Sequence, residues 1–259
     1  MTYGMELVDD KSDDPGLREY REAHAWPGRL AAVLDAEETI NDAVISGSND
    51  RILRTTIRWL TEHRRDRPDD GLLVVIGWSG AMRREFYVDG GYHQLIPYQR
   101  HPHPDVDRLG RLYRDLAWHE SESGDRLATQ ALSLQAFLRT HRVPYLFFDA
   151  IESSFDSLGR AGLAGSGCLD DIDLARWYRF GEPDGSMADV LRASGTAWNG
   201  RHPARDGHEL WAHKLGAHIM RHGLIQRPDA GPPTPTAVRE RPFAARRRFR
   251  AANRDFLYP

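Results

Sequence analysis

The sequence predicts an α/β fold with a mainly parallel sheet. Two runs, residues 72–76 and 143–148, are short, continuous and rich in β-branched or aromatic side chains. Runs of this kind are typical of strands that are covered on both faces. Segments with helical periodicity stand before and after each run, and helices that alternate with short apolar strands favour a sheet of parallel strands.

The first half of the chain supplies the earlier elements of this fold. Residues 26–34 are predicted to form a helix, since Pro27 is suited to the first turn. A short strand is predicted over residues 39–45. The turn at residues 46–50 follows it, and its serine and asparagine side chains can cap a helix over residues 51–63.

The elements predicted for the second half of the chain are less regularly spaced along the sequence. Residues 86–110 are rich in Gly, Pro, His and Tyr without clear periodicity, so we expect a long loop there. Residues 111–142 are predicted to be mostly helical, with a break at residues 121–124. After the second buried strand, residues 151–197 are expected to form a large insertion with one or two short helices. A helix over residues 207–221 closes the domain.

The folded domain is therefore expected to span residues 1–226. Residues 227–238 have the proline-rich composition of a linker. The tail at residues 239–259 combines arginines with aromatic residues, and two interpretations of it stay open. It could bind a polyanion or dock on a partner subunit, or it could be a solvated helix or frayed terminus.

Composition limits the classes of function. The 259 residues carry a net charge of −3, from 35 basic and 38 acidic side chains, so no overall attraction to nucleic acid or to an anionic membrane is expected. The single cysteine, Cys168, excludes an internal disulfide framework and is typical of a reducing cytoplasm. No membrane-length apolar run and no leader-like segment are present, so we expect a cytoplasmic protein without a membrane partner. The oligomeric state is left undetermined.

Four loops are predicted to meet at one rim of the sheet. These loops, at residues 46–50, 77–85, 149–155 and 199–208, either follow strands or precede the closing helix. In open α/β sheets, ligands bind beyond the carboxyl ends of the strands. The sequence therefore places a candidate site at this rim.

His202 is the candidate general base at that site. It lies on a loop, three residues after the side-chain amide of Asn199, and an amphipathic helix follows that can fix the loop to the core. A general base needs such a mounting, with one tautomer held by a nearby acceptor. The alternative interpretation is an ordinary histidine on a surface loop.

No metal site or cofactor is predicted. His101, His103, Asp105 and Asp107 are residues of types that ligate metals. The proline after each of these histidines is more typical of an extended loop. The sequence also contains no phosphate-binding loop and no dinucleotide fingerprint.

The order and spacing of these blocks resemble the SGNH, or GDSL, hydrolase superfamily, and more narrowly a subgroup best known from phage and bacterial genomes. The resemblance runs from residue 1 to about residue 222 and is strongest at residues 40–54, 72–86 and 198–215. It implies a flavodoxin-like three-layer α/β/α sandwich. It also implies four functional blocks: a nucleophilic serine in Gly-Asp-Ser, a glycine amide and an asparagine that bind the oxyanion, and Asp-x-x-His.

The first of these blocks is incomplete. Residues 1–7 look like the continuation of a Gly-Asp-Ser block, so the resemblance would place the serine directly before Met1, with the first strand of the sheet before it. Three explanations stay open. Met1 could be an internal methionine of a longer product, the chain could have lost the strand and the nucleophile, or removal of Met1 could expose Thr2 as an N-terminal nucleophile.

The other blocks are present with substitutions. The oxyanion-binding amide falls on Ser46 or Gly47, where only a backbone N–H is needed. Ser79 stands where the superfamily has asparagine, and its hydroxyl has a shorter reach than an amide. Asn199 stands where the family has the aspartate of Asp-x-x-His202, so it could orient the imidazole through its carbonyl but not stabilise a positive charge on it.

The resemblance also suggests substrate-binding residues and a reaction. Trp78, Arg83 and Asn49 are expected beside the substrate, and Arg83 could hold an anionic group or pair with Glu85. The implied activity is that of a hydrolase or acyltransferase acting on an ester or acyl group of a small molecule. The competing interpretation is a catalytically silent binding protein of the same fold.

Overall fold

The computed structural model describes residues 2–8, 14–66, 71–153, 168–180, 182 and 184–225. The predicted linker at 227–238 and the predicted tail at 239–259 lie outside the described residues. The helices are α1 (Pro15–His24), α2 (Trp26–Leu34), α3 (Asn49–Asp66), α4 (Pro104–Leu112), α5 (Glu120–Thr140), α6 (Cys168–Asp171), α7 (Met187–Ala193) and α8 (Arg205–Arg221). The strands are β1 (Val74–Trp78), β2 (Arg84–Val88), β3 (Gly91–Leu95), β4 (Tyr145–Asp149), β5 (Trp177–Tyr178), β6 (Trp198–Asn199) and β7 (His202–Pro203).

The central sheet has three parallel strands in the order β1-β4-β5. Strand β4 lies in the middle, and all five of its residues are buried. Successive side chains of a strand point to opposite faces, so β4 supplies apolar groups to two cores at once. Its continuous apolar run follows from this burial on both faces. The predicted mixed α/β fold with a parallel sheet is confirmed.

Helices α3 and α5 cover one face of the sheet. Tyr145 and Phe147 of β4 belong to the core on this face, together with residues of β1. The helices contribute the buried leucines Leu60, Leu127, Leu134 and Leu138. Burial of each such side chain contributes about 1.5–3 kcal/mol.

Helices α2, α7 and α8 cover the other face. Leu146 and Phe148 of β4 pack there against Trp26, Leu30, Met187, Leu191, Trp211 and Leu215. Helices α2 and α8 approach closely at Gly216 of α8. A Cβ at this position would lie 2.5 Å from the Val33 side chain of α2, so only glycine fits there without a shift. These contacts fix α8, and with it the hairpin β6–β7 that precedes it.

A second antiparallel hairpin, β2–β3, lies outside the central sheet. It packs with α4 around Leu95, Val106 and Tyr113. Residues 86–110, predicted as a long loop, therefore contain most of a hairpin and a helix, and that prediction was wrong. Proline at the start of α4 and the two-residue turn Asp89-Gly90, with positive φ at both positions, account for this structure.

Several other predictions are confirmed in type, with shifted bounds. Helix α2 has the predicted range, whereas α3 begins at Asn49 because Ser48 caps it by accepting a hydrogen bond from the Arg51 N–H at 3.3 Å. The predicted strands 72–76 and 143–148 are each displaced toward the carboxyl end. The helical break falls at residues 118–119 rather than at 121–124, after a short π-helical turn.

One predicted strand is not formed. Residues 39–45 belong to no strand of the described chain, and their backbone N–H groups donate to no described backbone carbonyl. The segment nonetheless runs beside the central sheet, along the cavity described below. No helix in the described ranges has both the length and the hydropathy needed to cross a bilayer.

Candidate functional site

A cavity of about 1800 Å³ lies beside β1, on the edge of the sheet that faces away from β4. Residues of β1 line it on one side and residues 39–45 line it as well. Five of the residues predicted for the site line this one cavity: Ser46, Gly47, Ser79, Arg83 and His202. Loops far apart in sequence thus gather around a single concave surface.

The turn at Ser46 and Gly47 is held in a fixed conformation. Ser46 has a positive φ of 62°, and the Gly47 N–H donates to the Val44 carbonyl at 3.3 Å. Directly after it, the N–H and hydroxyl of Ser48 both donate to Gln94 Oε1 at 2.9 Å. No described residue accepts a hydrogen bond from the Ser46 N–H, so this amide is available to a ligand.

The hairpin β2–β3 secures this turn through a buried ion pair. Arg54 of α3 donates to both carboxylate oxygens of Glu85, at 2.7 and 2.8 Å, and the Glu85 side chain is only 4% exposed. Gln94 also donates to Glu85, at 2.7 Å. Because Gln94 contacts Ser48 as well, the ion pair connects the hairpin to the start of α3. Glu85 therefore pairs with Arg54 and not with Arg83.

Asn49 has a structural role that differs from the predicted one. It is fully buried, its side-chain carbonyl accepts from the Ser79 N–H at 2.8 Å, and its amide donates to the Ser79 carbonyl at 3.0 Å. The two bonds fix the loop after β1 to the start of α3. They also occupy the Ser79 N–H, so Ser79 can offer only its hydroxyl to a ligand. Asn49 does not line the cavity.

Trp78 is likewise buried away from the cavity. Its side chain is 1% exposed and packs against Phe147 and Trp177 on the α3–α5 face of the sheet. Trp78 is the last residue of β1, so its ring was expected at the rim of the sheet. Successive side chains of a strand point to opposite faces, however, and the Trp78 side chain points into the core. The predicted substrate contacts of Asn49 and Trp78 are therefore not seen.

His202 lies at the cavity in contact with a carboxylate from the other end of the chain. Its Nδ1 is 3.2 Å from Glu6 Oε2, and its side chain is 21% exposed. The same carboxylate oxygen accepts hydrogen bonds from the backbone N–H groups of Arg201, at 3.1 Å, and of His202, at 3.2 Å. Nδ1 is buried and meets Glu6 at ion-pair distance without a well-aligned hydrogen bond. Among the described residues no hydrogen bond to the His202 Nε2 is seen, so this nitrogen can serve a substrate.

The electrostatics of Glu6 favour its charged form. Burial of the carboxylate by itself raises its pKa, but the contact with His202 and the two backbone hydrogen bonds outweigh that effect and lower the pKa below its usual value. Glu6 adopts a positive φ of 64°, and the facing Gly200 has a φ of 60°. A Cβ at Gly200 would lie 3.0 Å from Glu6 Oε2, so glycine allows the carboxylate to approach the hairpin.

Asn199 does not orient the imidazole as predicted. It pairs with His202 across the β6–β7 hairpin, and its side-chain amide donates to the Glu6 carbonyl at 3.0 Å. Asn199 thus anchors the segment that carries Glu6, and Glu6 contacts the ring. Sequence reasoning missed Glu6, because 196 residues separate it from His202 and the short segment around it has no periodic pattern.

Arg83 is one of several arginines that line the cavity. Burial lowers the pKa of its guanidinium, and the nearby Glu152 only partly opposes that effect. No carboxylate of the described chain lies within ion-pair distance of Arg83. A partly buried guanidinium without an ion-pair partner can bind an anionic group of a ligand, because the anion would replace the water that burial removed from the guanidinium.

A separate group of possible metal ligands lies at the β2–β3 turn. Ligand atoms of Asp89, His103 and Asp105 lie within 4.8 Å of one another, and His103 Nε2 is 3.1 Å from Asp89 Oδ2. Both aspartates are exposed. Exposed carboxylates of this kind are common without a metal, and none of the three residues lines the cavity.

Comparison with known proteins places the chain in a family without assigning an activity. No curated protein and no solved structure matches it. A family of unknown function, DUF6071, matches residues 5–233, which include every described element from α1 to α8. Because that match covers most of the 259 residues, the chain belongs to the DUF6071 family.

Proposed function

We propose that this protein is an SGNH-like hydrolase or acyltransferase that acts on an ester or acyl group of a small molecule. The observation that carries the proposal is the His202–Glu6 pair, which lies on the same cavity as Ser46, Gly47 and Ser79. An imidazole held by a carboxylate on one nitrogen, with the other nitrogen free, is the arrangement of a general base in acyl transfer.

The proposed fold is the flavodoxin-like α/β/α sandwich of that superfamily. Supporting it are the three parallel strands with helices on both faces, and the position of the cavity at the carboxyl end of β1, where Ser79 follows the strand. In this proposal β1 leads into the third block of the superfamily, and the second block falls on residues 41–50.

The proposed reaction proceeds in two steps. A serine hydroxyl attacks the acyl carbon while His202 Nε2 takes its proton, and the carbonyl oxygen becomes an oxyanion. The Ser46 N–H and the Ser79 hydroxyl would donate to that oxyanion. Collapse of this tetrahedral intermediate expels the alcohol, which receives the proton from His202, and leaves an acyl-enzyme. Water then releases an acid, or a second hydroxyl compound accepts the acyl group. The resemblance places the serine directly before Met1.

In this scheme Glu6 replaces the aspartate of the superfamily. The carboxylate would hold the proton on Nδ1 and stabilise the imidazolium that forms when Nε2 takes the serine proton. Asn199 cannot do this, as an amide carries no charge. Its bond to the Glu6 backbone would instead hold the carboxylate in place.

A specific observation favours a second candidate, a silent binding protein of the same fold. Two backbone amides near the proposed oxyanion position are already engaged, because the Ser79 N–H donates to Asn49 and the Gly47 N–H donates to Val44. A site with one free amide and one hydroxyl would bind a polarised carbonyl oxygen but would stabilise an oxyanion less well. Loss of one such donor typically reduces the rate about 10²–10³-fold.

The decisive experiment uses a serine-directed fluorophosphonate on two proteins. One is the 259-residue chain, and the other begins at the next start codon upstream in the same reading frame. We expect labelling of the longer protein, with loss of labelling in a His202→Ala variant. His213 is an exposed histidine on α8, so His213→Ala is the matched control and should label normally.

Two outcomes would decide against the enzyme. Absence of labelling in the longer protein would favour the binding protein, as would an in-frame stop codon directly before Met1. Within a labelled protein, Glu6→Gln should slow labelling by about 10²-fold or more, because an amide can impose the wrong imidazole tautomer. An unchanged rate in that variant would remove Glu6 from the mechanism while leaving His202 as base.

A further inference from the structure

We infer that one further β-strand fills the cavity beside β1, and that the polypeptide segment leading into Thr2 forms this strand. The strand would run parallel to β1 and lie between β1 and residues 39–45. This inference does not depend on the proposed hydrolase activity, since it concerns the completion of the sheet.

The first argument is the free edge of β1. The Val74 N–H donates to the Pro144 carbonyl at 2.9 Å, and the Trp78 carbonyl accepts from the Ala150 N–H at 2.9 Å. Residues 74, 76 and 78 therefore direct their backbone groups toward β4. Because this direction alternates along a strand, Val75 and Gly77 direct theirs into the cavity. Both residues line it, and no described strand pairs with that edge.

The second argument is the segment at residues 39–45, which pairs with no described strand. Residues 39–45 line the same cavity, and their N–H groups donate to no described backbone carbonyl. Three of their backbone groups have other partners: the Ala43 N–H donates to the Asn41 side chain, and the carbonyls of Asp42 and Val44 accept from Arg51 and Gly47. Backbone groups in a protein interior are nearly always paired. A strand inserted between β1 and this segment would offer partners to both sides at once, which a small apolar ligand cannot do.

The third argument is that both helical layers continue past β1. Leu30 and Leu34 of α2 line the cavity from one side of the sheet, and Ile52 and Trp59 of α3 line it from the other. The helices thus cover a space in the sheet layer in which no described strand lies. A strand there would be buried on both faces, so its side chains should be almost continuously apolar.

The size of the cavity suits one strand. Five residues at about 3.3 Å each, with about 4.8 Å between strands and about 10 Å between packed layers, need roughly 800 Å³. The cavity has about 1800 Å³, which leaves room for the side chains and for an open mouth at the rim.

The position of Thr2 identifies the occupant and its direction. Thr2, Tyr3 and Met5 line the cavity, and the Thr2 carbonyl accepts a hydrogen bond from Asn41 at 3.1 Å. Glu6 follows at the His202 hairpin, which lies at the carboxyl end of the parallel strands together with Ser79. A strand that runs parallel to β1 ends at this rim, so the chain can continue from its last residue directly into Thr2.

Amide hydrogen exchange tests this inference on the 259-residue chain and on the chain extended upstream to the next in-frame start codon. In the extended chain we expect exchange at Val75 and Gly77 to slow by about 100-fold or more, because both amides become bonded. Exchange at Ile76, which bonds to β4, should be slow in both proteins and is the internal control. Equal exchange at Val75 and Gly77 in the two proteins would overturn the inference, as would the lack of an upstream apolar segment.

A second measurement keeps the inference testable if the shorter chain does not fold. Proline is tolerated in an edge strand where the N–H faces outward but not in a central strand. In the extended chain, Val75→Pro should therefore lower the Tm by about 10 °C or more relative to Val75→Ala. Equal Tm values would show that β1 remains an edge. Protection of Val75 that appears in the shorter chain only at high concentration would instead assign the cavity to a second copy, and would also overturn the inference.

Since exchange and Tm report on the sheet alone, these results are separable from the labelling experiment. A protected β1 edge without fluorophosphonate labelling would support the strand and remove the hydrolase.

Discussion

His208 gives the sharpest test of how this structure depends on pH. The residue is fully buried at the start of α8, and its Nδ1 accepts a hydrogen bond from the Trp26 N–H at 3.1 Å. That amide is one of the unpaired donors at the start of α2, so the imidazole caps the helix. Burial, helped by the nearby His202, lowers the pKa of His208 to about 3. The cap works only while Nδ1 is unprotonated.

The cost of acidification follows from this shift. The unfolded imidazole has a pKa near 6.5, so at pH 5 it is almost fully protonated, whereas the native one at about 3 is not. The unfolded state binds more protons in this range, so stability falls as the pH is lowered. Between pH 7 and pH 5 the loss from this residue alone is about 2 kcal/mol, at about 1.36 kcal/mol per pKa unit. The full effect would be about 4–5 kcal/mol near pH 3.

The assay compares the wild-type protein with His208→Asn by urea unfolding at pH 7 and pH 5. The Asn carbonyl can take the place of Nδ1 as acceptor from Trp26, but it does not titrate. The variant should be less stable at pH 7, since a smaller side chain leaves a void. Its loss of stability between pH 7 and pH 5 should be about 2 kcal/mol smaller than that of the wild type. Equal losses in the two proteins would refute the assignment of His208 as a buried neutral cap.

Three further predictions concern other contacts. Gly77→Ala should lower the free energy of unfolding by about 1–3 kcal/mol in a urea titration, because the new Cβ would lie 2.6 Å from the buried ring of Phe148 on β4. An unchanged free energy of unfolding would contradict this close approach. Arg54→Met should cost about 3 kcal/mol, since it leaves the buried Glu85 carboxylate without a cation, whereas Arg54→Met combined with Glu85→Gln should recover part of that loss. The pKa of Glu6 is lowered in the folded protein, so the contact of Glu6 with His202 stabilises residues 2–8 above about pH 4.5 and is lost at lower pH. Limited proteolysis of this segment should therefore accelerate at about pH 3.5. An unchanged rate of proteolysis would count against the contact.

The central elements were predictable because their signals are local. Residues around β4 form a continuous apolar run, which is what a strand covered by two helical layers requires. Helix α2 was predicted at its observed bounds from Pro27 and the apolar residues after it. Strands β1 and β4 were displaced by one or two residues, because ladder pairing and not hydropathy decides where a strand ends.

The hairpin β2–β3 was missed for a different reason. Its strands are mostly half-buried and contain polar residues, so they lack the alternating pattern that predicts a strand. The hairpin is stabilised by Glu85, through its ion pair with Arg54, and by Gln94, through its bonds to Ser48. These partners lie more than 30 residues away, and no local window contains them. Only the turn at Asp89-Gly90 was a usable local signal.

Some of the residues predicted for the site line one cavity, and others are buried away from it. Parallel strands bring their carboxyl ends to one edge, and this rule was enough to gather His202, Ser79 and the turn at Ser46 on one cavity. It could not tell which side chains at the rim are buried. Asn49 was expected to face a substrate, but its amide matches the two backbone groups of Ser79, and that pairing removes it from the cavity.

In the proposed hydrolase, Asn199 and Glu6 would act together on the base. An asparagine three residues before the base removes the negative charge that the proposed reaction needs beside the imidazole. In this chain the same asparagine donates to the Glu6 carbonyl, and the Glu6 side chain reaches His202 Nδ1. In the proposed reaction the negative charge beside the imidazole would therefore come from the N-terminal segment that packs on the hairpin, and not from the hairpin itself. Because that segment leads directly out of the proposed strand, the nucleophile and the carboxylate would belong to one continuous stretch of chain, and filling the cavity would position both together. The proposed base would then be complete only when the sheet is complete.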